Sequence, residues 1–231
     1  LLGETKDFDF VITEIGGTVG DIEALPYIEA VRQLKWELDG SALFIHLTLV
    51  PFLAAAGELK TKPTQHSVKT LLEAGIQPDI LVCRTEHCLN NDIKRKIAQF
   101  CNVDRNAVVE SIDANSIYEV PILMQKEGLD KIVLKKLGLD FSSDVQLKNW
   151  KKFLKEIQNP KKAVTIGLVG KYIELKDAYK SITEAIIHAG AENSCKVNID
   201  WIDAESINDN NAAIKINNLC GIIVAPGFGD R

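Results

Sequence analysis

No apolar run in this 231-residue chain approaches the length of about 20 residues that a membrane-spanning helix needs. Internal repeats and low-complexity tracts are absent, which excludes solenoid and linker-like architectures. Neither sign of charge dominates: a net charge of −5 leaves no general nucleic-acid surface, so any basic site must be local. The five cysteines are an odd number without a C-x-x-C pair, which argues against a disulfide framework and a zinc site. Cys83 and Cys220 lie in apolar, strand-like runs and read as reduced core thiols. None of the four histidines stands in a Ser–His–Asp or Cys–His arrangement. Met124 is the only methionine, so no initiator is present; the chain opens Leu1-Leu2-Gly3, stops at Arg231, and reads as a piece of something longer.

What remains is an apolar fraction of 46%, enough for a sizeable core, arranged as strands and helices in alternation. Apolar runs at 8–14, 42–50, 80–84 and 108–112 predict buried strands. Helical spacing predicts helices over 22–38, 67–74, 92–101 and 121–127. Strand-then-helix order implies a parallel sheet. Trp36, near the end of its helix, is expected in the core, with an exposed interface position as the alternative. A charged amphipathic helix over 144–158 leads to Asn159-Pro160-Lys161-Lys162, which reads as a linker. Strand, helix, strand and strand then recur over 163–169, 177–188, 196–202 and 220–225, the opening of a second α/β domain. The expected partition is 1–143, a helix and linker over 144–162, and 163–231.

Two stretches carry chemistry. In the first, Glu14-Ile15-Gly16-Gly17-Thr18-Val19-Gly20-Asp21-Ile22-Glu23, acids and glycines follow a strand, at the sheet end where α/β proteins bind ligands. Carboxylates plus closely approaching backbone amides suit Mg²⁺-nucleotide chemistry. Spacing alone equally suits a strand–turn–helix corner with Asp21 as helix N-cap. In the second, Gly57-Glu58-Leu59-Lys60-Thr61-Lys62-Pro63-Thr64-Gln65-His66-Ser67, Pro63 biases Lys62 toward an extended conformation. That predicts a shaped loop whose Lys60 and Lys62 face a triphosphate, with the helix starting at Ser67; an ordinary solvated basic turn is the bland alternative. His46 reads as a hydrogen-bonded sheet residue, His66 as helix-start packing with phosphate contact as the alternative, His87 as a loop residue and His188 as solvated.

In this order the stretches resemble the CTP synthase family of glutamine-dependent ligases. Leu47-Thr48-Leu49-Val50-Pro51, Gly75-Ile76-Gln77-Pro78-Asp79-Ile80-Leu81-Val82-Cys83-Arg84 and Ser116-Ile117-Tyr118-Glu119-Val120-Pro121 extend the likeness. Gly167-Leu168-Val169-Gly170-Lys171-Tyr172 and Asp177-Ala178-Tyr179-Lys180-Ser181 carry it into the second domain. The resemblance implies a P-loop-type ligase (amidoligase) domain with a parallel sheet, followed by the first part of a class I glutaminase α/β domain.

Residue roles follow position by position. The resemblance implies that Glu14 holds Mg²⁺, and that Asp21, Ile22, Glu23, Lys60, Thr61, Lys62, Pro63, Thr64, Gln65 and Lys96 form the UTP site, where CTP binds as feedback inhibitor. It places Ile112, Asp113 and Ala114 at the adenine of ATP. Asp177 and Lys180 match family residues, though an N-cap and an exposed helix lysine explain them as well. In Ala225-Pro226-Gly227-Phe228-Gly229, Gly227 matches an oxyanion-hole donor, with Pro226 standing where the family more often has glycine. It further implies a cytoplasmic homotetramer with UTP sites across subunit contacts, GTP as activator, and ATP, UTP and glutamine as substrates, with no nucleic-acid or membrane partner. The family's phosphate loop is expected before Leu1 and its glutaminase nucleophile after Arg231, so the chain alone is expected to perform neither half of the reaction. Two other readings stay open: another P-loop amidoligase of the dethiobiotin-synthetase or cobyric-acid-amidase kind, and a non-catalytic UTP/CTP-sensing assembly module.

Overall fold

A computed structural model describes residues 8–140 and 145–227, and the chain divides into two compact units, Leu1–Val145 and Gln146–Arg231. In chain order the first comprises α1 (Leu25–Glu37), β1 (Ile45–Leu49), an antiparallel ribbon of β2 (Phe52–Leu53) and β3 (Glu58–Leu59), and α2 (Lys62–Glu73). β4 (Ile80–Thr85), α3 (Asn91–Cys101), β5 (Val108–Ile112), α4 (Val120–Glu127) and α5 (Leu129–Lys136) follow. The sheet runs β1-β4-β5, all parallel, with Ile45 opposite Ile80 and Leu81 opposite Val108.

Central strand β4 explains its own composition. Leu81 and Cys83 enter a cluster with Val68 of α2 and Ile97, Ala98 and Cys101 of α3. Ile80 and Val82 enter another with Val109, backed by Met124 of α4 and Ile132 and Val133 of α5. Alternate residues point to opposite faces and both faces are covered, so Ile80 to Cys83 are apolar in succession. Each such side chain stabilises the fold by about 1.5–3 kcal/mol. Asn90 caps α3 by accepting the Ile93 N–H at 2.9 Å, and Asn102, with φ of 52°, ends it.

Edge strand β1 inverts that pattern. Ile45, Leu47 and Leu49 are exposed, while His46 and Thr48 are buried. Those inward polar groups meet partners on α2: His46 Nε2 lies 2.8 Å from Ser67 Oγ, and Thr48 Oγ1 donates to Thr64 Oγ1 at 3.2 Å. Thr64 Oγ1 donates onward to the Leu49 carbonyl at 2.9 Å. A polar seam therefore fixes the first two turns of α2 against β1.

Four expectations are corrected. Residues 8–14 form no strand, and Phe8, Phe10, Val11 and Ile12 are exposed. An apolar run becomes a strand only where a neighbour completes its ladder, and among the described residues none lies beside it. Trp36 is 87% exposed, because α1 buries Ala24 and Ile28, and residue 36 lies roughly 80° around the helix from Ile28. α2 begins at Lys62 rather than Ser67: Pro63 falls in the first turn, where its missing N–H has no intrahelical partner to lose. Cys220 is exposed, preceding an edge strand, whereas Cys83 is fully buried.

The second unit comprises α6 (Lys148–Gln158), β6 (Lys162–Gly170), α7 (Lys180–Glu192), β7 (Cys195–Asp203), α8 (Ala212–Ile216) and β8 (Gly221–Val224). Its parallel sheet runs β7-β6-β8. Within it α6 packs on α7, with the Phe153 ring edge-on to His188 at 5.3 Å and Ser194 Oγ donating to Glu156 at 2.6 Å. The expected linker is correspondingly short: Lys161 N–H already donates to the Ser194 carbonyl at 2.8 Å, and Lys162 opens the ladder opposite Cys195. Residues 141–144, where the expected boundary fell, lie outside the described residues. Among the described residues no helix is long and apolar enough to cross a membrane.

Candidate active-site elements

A cavity of about 290 Å³ opens at the carboxyl ends of β1, β4 and β5, lined by Leu49, Val50, Pro51, Arg84, Thr85, Glu86 and Asp113. Arg84 Nε donates to Asp113 Oδ1 at 3.0 Å, and the Asp113 N–H donates to the Thr85 carbonyl at 3.0 Å. Thr85, almost fully buried, donates through Oγ1 to the His87 carbonyl at 2.8 Å. The His87 ring stands edge-on to Phe52 at 4.2 Å. Of the three residues assigned to adenine, Ile112 ends β5, Asp113 lines the cavity and Ala114 is half-buried beyond it. The paired Arg84 and Asp113 supply donors and an acceptor beside an apolar wall of Leu49, Val50 and Pro51.

Beside the start of α2 lies a lysine corner. Lys60 is paired with Glu58 across the end of the ribbon. The Glu58 carboxyl is held below its usual range chiefly by the Lys60 hydrogen bond and charge, with a further contribution from Lys96 of α3. Lys96 therefore shares this corner although it is 36 residues away in sequence. Lys62 Nζ stands 5.8 Å over the Phe100 ring, one helical turn after Lys96 on α3. Three cations and an exposed aromatic ring thus share one surface.

The rest of the expected loop is mostly buried. Thr61, Thr64 and Gln65 are buried, and Gln65 Nε2 donates to Thr61 Oγ1 at 3.1 Å. Pro63 is exposed in the first turn of the helix. This corner offers a ligand Lys60 and Lys62 beside the start of α2, a helix N-terminus that favours anions.

The acidic stretch lies elsewhere on the unit. Asp21 Oδ2 accepts the Thr18 N–H at 3.2 Å, and Asp21 N–H donates to the Thr18 carbonyl at 3.0 Å, so Asp21 closes its own turn rather than capping α1. Gly20, with φ of 104°, approaches Thr70 of α2 so closely that a Cβ would sit 3.1 Å from its methyl. Thr70 is eight residues past Lys62, or about 12 Å along the helix. Glu14, Asp21, Ile22 and Glu23 are all exposed, and among the described residues no three acids, histidines or cysteines gather as a metal cluster.

In the second unit the glycine strand is described as far as Gly227; Phe228 and Gly229 lie outside the described residues. β8 pairs with β6, and the Ala225 N–H extends the ladder by donating to the Val169 carbonyl at 2.8 Å. Pro226 has no N–H to offer on the opposite side of the strand. Tyr179, buried at 3% exposure, packs with Leu168 and Ala225. Its hydroxyl accepts the N–H groups of Lys171 at 3.0 Å and Tyr172 at 3.2 Å, and lies 3.5 Å from the Pro226 carbonyl.

Comparison with known proteins shows the family. Residues 2–139 match the family model of the CTP synthase N-terminus, and residues 174–231 match class I glutamine amidotransferases. The whole chain aligns with the CTP synthases of Christiangramia forsetii at 65% identity, covering 42% of that protein, and of Flavobacterium johnsoniae at 63%, covering 43%. The chain belongs to the CTP synthase family. Its fold is that of a CTP synthase N-terminal synthetase domain followed by the start of a class I glutamine amidotransferase. Bacteroides fragilis CTP synthase is 57% identical over the whole chain, again with 43% of its length covered. The chain thus spans about two-fifths of the length of the CTP synthases it matches.

Three residues of the chain were not singled out from sequence. Arg84 closed a quoted motif without a role, and its pairing with Asp113 needs the register of β4 and β5. Phe100 follows Lys96 at i+4 spacing, a visible signal of a shared helix face. Tyr179 sat between Asp177 and Lys180, which drew attention by their charge.

Proposed function

We propose that the chain carries the UTP-gripping and adenine-side elements of a glutamine-dependent CTP synthase, together with the opening of its glutaminase. The observation that supports this most is the lysine corner of Lys60, Lys62 and Lys96, which gives local positive charge to a chain that is negative overall. A triphosphate needs such charge, and the start of α2 adds backbone donors to it. The exposed Phe100 ring beside the lysines is a face on which a nucleobase can stack. The cavity at Arg84 and Asp113 suits the adenine end of ATP, because donors and an acceptor stand beside an apolar wall.

In the reaction so read, the γ-phosphoryl group of ATP transfers to O4 of UTP and ADP leaves. Ammonia, released from glutamine, then attacks C4; phosphate departs, a proton is lost and CTP forms. The lysines offset phosphate charge and hold the triphosphate still during both steps. Glu14, a single exposed carboxylate, fits Mg²⁺, which takes one or two protein carboxylates and completes its shell with phosphate oxygens and water. Mg²⁺ there would neutralise charge developing on the transferred phosphoryl group. In the glutaminase, Gly227 N–H serves as oxyanion donor.

Asp21, Ile22 and Glu23 stand on a turn apart from the lysine corner of the same chain. That separation is consistent with a homotetramer in which each UTP site takes the acid turn from one subunit and the lysines from another. CTP as feedback inhibitor at the UTP site, GTP as activator and a cytoplasmic location belong to the same reading. The partition into a synthetase domain over 1–143, a connecting segment over 144–162 and a glutaminase from 163 is likewise proposed.

The deciding assay is CTP formation from UTP, ATP and Mg²⁺ by the full-length protein, with glutamine and separately with ammonia. CTP from both donors is expected. CTP from ammonia alone would remove the glutaminase part, and CTP from neither would remove the ligase.

A further inference from the structure

We infer that Tyr179 is a positioning residue for glutamine hydrolysis: its hydroxyl holds the Pro226 carbonyl and so aims the Gly227 N–H. The inference rests on the reading of Gly227 as oxyanion donor given above.

A phenol has one proton to donate. The Tyr179 oxygen already accepts the Lys171 and Tyr172 N–H groups, at 3.0 and 3.2 Å, so its proton is directed at the acceptor opposite, the Pro226 carbonyl at 3.5 Å. That contact is long, as catalytic hydrogen bonds often are before substrate binds. Pro226 and Gly227 share one planar, trans peptide unit, in which C=O and N–H point in opposite directions. Fixing the Pro226 carbonyl toward Tyr179 therefore fixes the Gly227 N–H away from it.

The strand cannot do this by itself. Its last ladder bond to β6 among the described residues is that of the Ala225 N–H, and Pro226 has no N–H with which the other side of the strand could be held. The carbonyl is the handle that remains. Tyr179 is itself held rigidly, stacked on Tyr172 at 6.3 Å and tilted against Trp201 at 6.5 Å. It lies so close to Gly170 that a Cβ there would come within 2.7 Å of its ring. Gly170 thus admits the ring, and the loop after it supplies the two N–H groups that orient the hydroxyl.

The test is Tyr179→Phe in the full-length protein, which keeps the ring and removes the hydroxyl. Glutamine-dependent kcat is expected to fall on the order of 10- to 100-fold, less than the 10²–10³ of deleting an oxyanion donor outright. KM for glutamine should move less than about twofold, since the donor acts on an oxygen that is charged only in the transition state. An aldehyde analogue of glutamine, whose adduct with the glutaminase nucleophile carries the tetrahedral oxygen, should bind more weakly by a similar factor. CTP formation from ammonia should persist. Unchanged glutamine kcat would overturn the inference. So would a parallel loss of both activities with a lowered Tm, which would make Tyr179 a packing residue. Wild-type protein that uses ammonia but not glutamine would remove the reading of Gly227 itself, before any substitution is made.

Discussion

The lysine corner of the first unit and the glycine strand of the second solve opposite problems. The corner needs mobile charge, so it exposes long side chains on a helix whose inner face is buried and hydrogen-bonded through Thr61, Thr64 and Gln65. The glycine strand needs one backbone N–H aimed correctly, so it hides its determinants: Tyr179, Leu168 and Ala225 are all buried. A site of charge is thus built from what a helix exposes, and a site of direction from what a core fixes.

The largest expected effect separates the two. Lys60→Ala with Lys62→Ala should raise the KM for UTP at least about a hundredfold, each charged hydrogen bond being worth about 1.5–3 kcal/mol. Lys69→Ala, on the same helix but paired at 3.8 Å with Glu73, should leave it unchanged. A response of both variants alike would reduce the corner to bulk charge. On the other side, Gly170→Ala should cost about 1–3 kcal/mol through overpacking against Tyr179 and impair glutamine use but not ammonia use, read by thermal melting and the two assays.

Thr64→Val sharpens the boundary between scaffold and ligand contact. It leaves the Leu49 carbonyl and Thr48 hydroxyl without a buried partner, at about 1–3 kcal/mol. Urea titration should show the loss, and the UTP KM should rise although Thr64 itself is buried. Smaller still is the acid response of the first unit. Burial holds the His46 pKa below its ordinary 6.5, so unfolding takes up a proton as pH falls through that value. Stability from His46 is complete above about pH 6.5 and declines below it, and His46→Gln should flatten that part of a melting-temperature profile. Burial raises the Glu127 pKa, but the Lys94 hydrogen bond and the Glu110 N–H outweigh it, so its stabilisation fades only below the ordinary carboxylate range. Least consequential, iodoacetamide should reach exposed Cys88 and Cys220 first. Cys83, pushed up to about 12 by burial, and Cys101, to about 11, should resist until the chain unfolds.

Sequence reading succeeded where one residue's surroundings repeat along the chain. β4 and β5 were legible because strands covered on both faces carry consecutive apolar residues, Ile80 to Cys83 and Val108-Val109, and α3 because its apolar residues recur at helical spacing. The same logic misread residues 8–14, an apolar run beside which no strand lies among the described residues. Pro63 was read as a block to helix although its position decided that it begins one. The charges of Lys60, Lys62 and Lys96 were visible, yet their meeting depends on α2 and α3 lying side by side. Tyr179 escaped because a hydroxyl's value lies in three backbone partners, one of them 47 residues away.

β1 carries a practical consequence. Its outer edge pairs with no strand among the described residues, and Leu47 and Leu49 are 67% and 51% exposed. An open edge flanked by greasy side chains is a template for strand addition, so this stretch handled alone should be sticky, drifting to larger species as its concentration rises. One charge at its midpoint, Leu47→Lys, is the natural gatekeeper.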